Sequence, residues 1–190
     1  AIFSTHPHYD HDGGLFRGQT PYWKDKIPLY QDLGNYTIGD FKIIGIKGKH
    51  CDPYGKEFGQ KNTIWKIEVN GLTIAHLGDN GPLTPKNYED LKAIDILLIP
   101  IDSKYHILKK DELAIVLQTI DPSIIIPMHY RIPALETELH KPEDLGDLDP
   151  WLEDKTNVTR LPSNKYTIDT TLLKKSTQII VFKHASTVTY

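Results

Sequence analysis

One cysteine and one methionine among 190 residues leave almost no sulfur for chemistry. Cys51 has no partner for an internal disulfide, so a disulfide-stapled scaffold is excluded. Long apolar runs are missing too. The longest, such as Ile96–Ile101, have the length of a strand and fall far short of the roughly 18 residues of a membrane span. Nor does charge of one sign accumulate: 22 basic against 25 acidic side chains give a net charge of −3 with no basic block. That balance argues against nucleic acid as the main partner. No charged leader or cleavage pattern precedes the opening segment, and a cytoplasmic setting is the expectation. Hydrophobic residues at 39% and charged residues at 25% are ordinary globular usage. The length suits a single domain over 1–190 with a core of its own and a tail over 185–190. What the chain does have is histidine, nine of them, and they fall in a pattern.

The expected elements are short. Gly18–Asp40, rich in Gly, Pro and aromatics, reads as an irregular connection whose aromatics could cover a cleft. Phe41–Ile46 reads as a strand. Ile64–Val69 and Leu72–His76 flank Asn70-Gly71, the signature of a hairpin, because a type I′ turn needs φ > 0 at both central residues. Ile96–Ile101 is apolar throughout, as a strand buried on both faces must be. Asp111–Ile120 has helical spacing with Asp111 as candidate N-cap, and Asp121-Pro122 stops it. Ile124–Ile126 and Gln178–Phe182 complete the strands, and Pro133–Asp154 reads as partly helical. Strands alternating with helices plus one antiparallel hairpin make a mixed α/β domain.

Four histidine- or aspartate-bearing segments carry the chemistry. Thr5-His6-Pro7-His8-Tyr9-Asp10-His11-Asp12-Gly13-Gly14 follows a strand directly. In an extended segment His6 and His8 project to one side, so both imidazoles can reach one cation. Where the chain turns, Asp10 and His11 face a second position. His50 follows the Phe41–Ile46 strand; alone, a histidine there is more often structural than a ligand. Gly78-Asp79, after the hairpin, can place a carboxylate at the sheet edge, although by itself it is equally an Asx turn. His129 ends the Ile124–Ile126 strand and, in isolation, could go either way.

Taken in order, these motifs resemble those of the metallo-β-lactamase superfamily. "AHLGDNGPLT", "IDILLIPI" and "PSIIIPMHY" resemble the branch of metal-dependent hydrolases that includes L-ascorbate-6-phosphate lactonase-like proteins. The resemblance runs from Ile2 to Tyr130, with a last strand near Ile179–Phe182. It implies an αββα sandwich of two mixed sheets. It further implies two divalent metal ions, zinc by preference with manganese or iron as substitutes. His6, His8 and His50 would hold the first and Asp10, His11 and His129 the second, with Asp79 bridging. His76 is the rival to His50. Asp10 would also orient a metal-bridging hydroxide for attack on an ester, lactone or phosphoester of a small molecule. Tyr105 and Tyr130 are the candidate proton donors to the leaving oxygen, whereas His106, His140 and His184 read as surface or rim residues.

Two alternatives stand beside this one. A phosphodiesterase or nuclease of the same superfamily would be expected to carry a basic face, which the composition lacks. A metal-binding interaction domain without catalysis would be expected to have lost ligands, and the set is complete. One departure is notable: superfamily members carry several strands before the first histidine motif, and this sequence starts at that motif. The expectation is therefore an N-terminally incomplete domain, whose exposed strand edges would invite pairing into a homo-oligomer.

Overall fold

The computed structural model describes the chain except residues 14, 16, 17, 19, 22, 52–54, 104–106, 136–144, 169, 174, 175 and 185–190, and the backbone alone at Tyr9, Asp10 and Leu172. Among the described residues, ten strands and four α-helices follow in order: β1 (Ile2–Phe3), α1 (Tyr9–Asp12), β2 (Leu29–Tyr30), β3 (Gly34–Ile38), β4 (Phe41–Lys49), β5 (Lys61–Val69), β6 (Leu72–His76), α2 (Pro85–Asp90), β7 (Ile96–Pro100), α3 (Lys110–Ile120), β8 (Ile124–Met128), α4 (Leu148–Leu152), β9 (Val158–Arg160) and β10 (Gln178–Val181). Eight strands form one mixed sheet in the order β3-β4-β5-β6-β7-β8-β10-β9, while β1 and β2 pair in parallel as a separate two-stranded sheet. The expected α/β architecture is present, with its sheets very unequal in size.

Direction within the large sheet places the site. β3 to β6 run as an antiparallel meander, and β6, β7, β8, β10 and β9 are mutually parallel. Two reversals make β4 parallel to β6, so the carboxyl ends of β4, β6, β7 and β8 lie along one edge. Period-two alternation divides the side chains. Leu97, Ile99 and Ile125 face one way, with Leu113, Val116 and Ile120 of α3, into the main core; Ile96, Ile124 and Ile180 face the other. That two-sided burial explains the continuous apolar runs.

Several expectations are corrected. Gly18–Asp40 contains β2 and β3: Tyr36-Thr37-Ile38 are strand formers, and Gly39-Asp40 closes a tight hairpin with Ile38 opposite Phe41. Tyr30 and Tyr36 cover no cleft. They pack with Phe3 and Trp65 at centroid distances of 4.8–6.0 Å, pinning the two-stranded sheet to β3 and β5. α3 starts one residue earlier than expected, with Lys109 rather than Asp111 at the N-cap, because the Glu112 carboxylate accepts the Lys109 N–H at 2.8 Å. α2, short and opened by Pro85 behind a Thr84–Asn87 capping box, falls where the sequence shows only turn residues. The partly helical reading of Pro133–Asp154 corresponds to α4; residues 136–144 and the tail lie outside the described residues.

Leu97→Ala, at a fully buried position, is expected to cost about 2–5 kcal/mol in urea unfolding. Ile115→Ala, on the exposed face of α3, should stay within about 0.5 kcal/mol.

Candidate metal centre

Most candidate ligands sit just past a strand, where the backbone leaves the ladder, whereas Asp10 and His11 lie in α1. β1 leads into the first segment. Thr63 N–H donates to the Thr5 carbonyl at 2.7 Å and Trp65 Nε1 donates to the Ser4 carbonyl at 3.1 Å, so β5 holds His6 from below. The Thr5 hydroxyl lies 2.8 Å from His6 Nδ1, and His6 Nε2 lies 3.1 Å from His8 Nδ1. The two imidazoles share a side, as the alternation of an extended segment requires. His50 closes the group from the end of β4. Its Nδ1 lies 2.9 Å from the Cys51 carbonyl, which can only accept, so Nδ1 carries the proton and Nε2 presents its lone pair.

Asp79 follows β6 on a loop held by amides. Asn80 Oδ1 accepts from the Lys49 N–H at 2.8 Å and from Asn62 Nδ2 at 3.1 Å, and Asn62 Nδ2 also donates to the Leu77 carbonyl. Gly78 makes the turn at φ +60°, and a Cβ there would sit 2.5 Å from Asn62 Oδ1 and 2.7 Å from Thr5 Cβ. The result is a buried carboxylate ringed by imidazoles. Asp79 Oδ2 is 3.2 Å from His129 Nε2, 3.5 Å from His6 Nε2 and 3.7 Å from His50 Nε2. One donor atom each from His6, His8, His50 and Asp79 lies within 4.8 Å of the others. Three imidazoles and a carboxylate form a donor set suited to a divalent cation.

The electrostatics favour a cation at this place. Burial alone would raise the Asp79 pKa, but the His129 and His50 side chains beside it, together with the field of His129 and His6, hold it well below the usual carboxylate range. Burial lowers His6 to about 2, with Asp79 opposing and the neighbouring histidines assisting, so its imidazole is neutral. An ionised carboxylate beside the neutral His6 imidazole is a place suited to a cation.

Of the remaining candidates, His11 packs against His6 at a centroid distance of 4.0 Å, and His129 reaches Asp79 from the end of β8. The Asp10 side chain and Tyr105 lie outside the described residues, as do His106 and His140. Tyr130 is half-buried against the main core and lines a cavity of about 440 Å³ with Arg131, Asp147, Arg160 and His184. His50, not His76, is the third imidazole of the cluster; His76 Nδ1 is occupied as acceptor of the Gly78 N–H at 3.1 Å. Two residues here escaped the sequence reading. Phe58, in a single 3₁₀ turn, packs its ring 4.9 Å from His8 and 5.6 Å from His50. Asn62 belongs to no motif, and its role exists only through Asn80 and Leu77.

With this geometry, comparison with known proteins becomes decisive. The profile of the β-lactamase superfamily domain matches residues 1–129. The chain belongs to the metallo-β-lactamase superfamily. A UPF0173 metal-dependent hydrolase of Staphylococcus carnosus is 33% identical over 84 residues, 43% of this chain and 35% of that protein. The chain thus spans about a third of that relative's length. Among solved structures, a superfamily member from Thermotoga maritima assigned as a zinc-dependent hydrolase superposes with a TM-score of 0.64 at 26% identity. That superposition covers 82% of this chain and 71% of the other. The metallo hydrolase Igni18 of Ignicoccus hospitalis shares the fold, with a TM-score of 0.51, 18% identity, and coverage of 72% and 66%.

The buried neutral imidazoles make folding sensitive to acid. His6 is lowered to about 2 and His76, chiefly by burial, to about 4, against an ordinary 6.5. Below pH 6.5 the unfolded chain takes up protons that the folded one refuses, so stability is full above that pH and falls as pH drops. The slope reaches up to about 1.4 kcal/mol per pH unit for each histidine. Thermal melts of metal-free protein should show Tm declining from about pH 7 to pH 4, with a shallower decline in His76→Gln. A Tm independent of pH over that range would contradict the burial of these rings.

Proposed function

We propose that this superfamily member is a metal-dependent hydrolase with a two-metal centre. His6, His8 and His50 hold one cation, Asp10, His11 and His129 hold the second, and Asp79 faces both. The observation that carries the reading is the position of Asp79 Oδ2, within 3.2–3.7 Å of imidazole nitrogens from three separate segments. A single carboxylate oxygen serving that many donors is suited to bridging. Zinc is the favoured ion, because imidazole and carboxylate without thiolate suit it and the Thermotoga maritima relative is assigned as zinc-dependent.

Divalent cations held here would supply Lewis acidity and acidify bound water. The chain's own residues do the rest. His6 is already neutral and needs no deprotonation to bind. Ionised Asp79 lowers the net charge of the filled site while leaving it positive, which suits an electrophile whose oxygen gains negative charge. Asp10, next to His11 in the sequence, would orient the attacking water. Burial raises the Tyr130 pKa, with Arg160 opposing, so its phenol keeps the proton that a leaving oxygen requires. The substrate class is an ester, lactone or phosphoester of a small molecule, with the lactonase-like branch as the first place to look.

Metal analysis by inductively coupled plasma mass spectrometry, on protein purified without chelator or metal column, should find two equivalents of zinc. Both should fall in Asp79→Ala and one in His8→Ala, with parallel loss of lactone or ester hydrolysis. One equivalent, unchanged in His129→Ala, would remove the two-metal reading. Two equivalents of iron would redirect it to oxidation chemistry.

A further inference from the structure

β7 ends beside β8 on the site edge, and Asp102, the second residue past it, enters none of the roles above. Its side chain is fully buried, and Asp102 Oδ2 lies 3.7 Å from His129 Nδ1. The opposite nitrogen of the same ring, Nε2, lies 3.2 Å from Asp79 Oδ2. The imidazole is therefore strung between two buried carboxylates. Its backbone is set for this: His129 has φ +54° and Ser103, next to Asp102, φ +51°, conformations that cost a non-glycine residue energy unless packing enforces them. Packing does enforce them. A Cβ at Gly146 would stand 2.2 Å from the Asp102 carbonyl oxygen, and the Gly146 carbonyl accepts the Arg131 N–H at 2.9 Å. The segment around Gly146 thus clamps the end of β7 against the chain leaving β8. A separation of 3.7 Å exceeds a hydrogen bond, but a small rotation of either side chain closes it, as such contacts do when a site fills.

From this juxtaposition we infer that Asp102 is a positioning residue that accepts the Nδ1–H of His129 and so aims Nε2 at the position shared with Asp79. A carboxylate can only accept, so it demands the proton on Nδ1 and leaves the Nε2 lone pair for a cation. An amide can offer either of its ends and imposes neither tautomer. Carboxylates behind a ligating imidazole typically strengthen metal binding by roughly 10–100-fold. The inference rests on the reading of His129 as a ligand, and two measurements separate its fate from that reading.

The first is zinc binding by competition with a chromophoric chelator, using the full chain. Asp102→Asn should keep two equivalents while one weakens roughly 10–100-fold and the other is unchanged. Both equivalents as tight as in the unsubstituted chain would overturn the positioning role and leave the two-metal centre standing. The second needs no metal. The unsubstituted, zinc-free chain should show a slowly exchanging downfield imidazole proton resonance, assigned to His129 by its loss in His129→Gln and lost again in Asp102→Ala. Absence of that resonance from the unsubstituted chain, or its persistence in Asp102→Ala, would overturn the contact even if two zinc ions bind. Should Asp102→Ala fail to fold, the unsubstituted resonance alone decides.

Discussion

A buried carboxylate surrounded by imidazole nitrogens is the constraint to which this structure answers. Removing a carboxylate from water costs several kcal/mol unless charge and hydrogen bonds replace the solvent. Asp79 is 3% exposed and still held ionised, with histidines from the opening segment, from β4 and from β8 converging on it. Those residues come from segments far apart in the sequence. The loop that carries Asp79 cannot drift without leaving its charge uncompensated. The amide network of Asn62 and Asn80 is best understood as the means of stopping that drift, since it ties the loop to β4 and β5 by main-chain partners on both sides.

The topology makes the convergence cheap. An antiparallel meander followed by parallel strands brings the exits of β4, β6, β7 and β8 to one edge, so His50, Asp79, Asp102 and His129 need only a short step beyond the ladder to meet. The middles of β7, β8 and β10 are left apolar. Leu97, Ile99 and Ile125 face the helices and Ile96, Ile124 and Ile180 the other side, and no site residue interrupts them. Stability resides in the middle of the strands and chemistry at their ends, as is general for ligand sites of open α/β sheets.

Much of this was legible in the residues. The histidine motif, the hairpin at Asn70-Gly71 and the apolar runs carry local signals strong enough to survive any context, and they placed His6, His8, His50, Asp79 and His129 at strand ends. β3 and α2 were hidden because Gly and Pro dominate their surroundings; only pairing with β4 makes Gly34–Ile38 a strand, and only the Thr84–Asn87 box makes Pro85–Asp90 a helix. The choice between His50 and His76 could not be made from spacing either. It turns on one hydrogen bond, from the Gly78 N–H to His76 Nδ1, which exists only once the loop is folded. Asp102 and Phe58 left no signal at all, since Ile-Asp-Ser reads as an ordinary turn and a lone phenylalanine as packing.

The buried ionisable groups of the fold are unevenly spread. Buried Asp79 and Asp102 and a histidine that burial keeps neutral down to about pH 2 gather at the same edge of the large sheet. Each is unfavourable by itself, and in a domain selected for stability alone each would be replaced by an apolar residue. Their concentration fits a single explanation. A divalent cation at this edge would give ionised Asp79 its counter-charge and would make the orientation of His129 worth enforcing. On that account the apolar sheet supplies the stability that the edge consumes. The histidines and carboxylates of that edge would then be arranged for an ion at some cost to the fold.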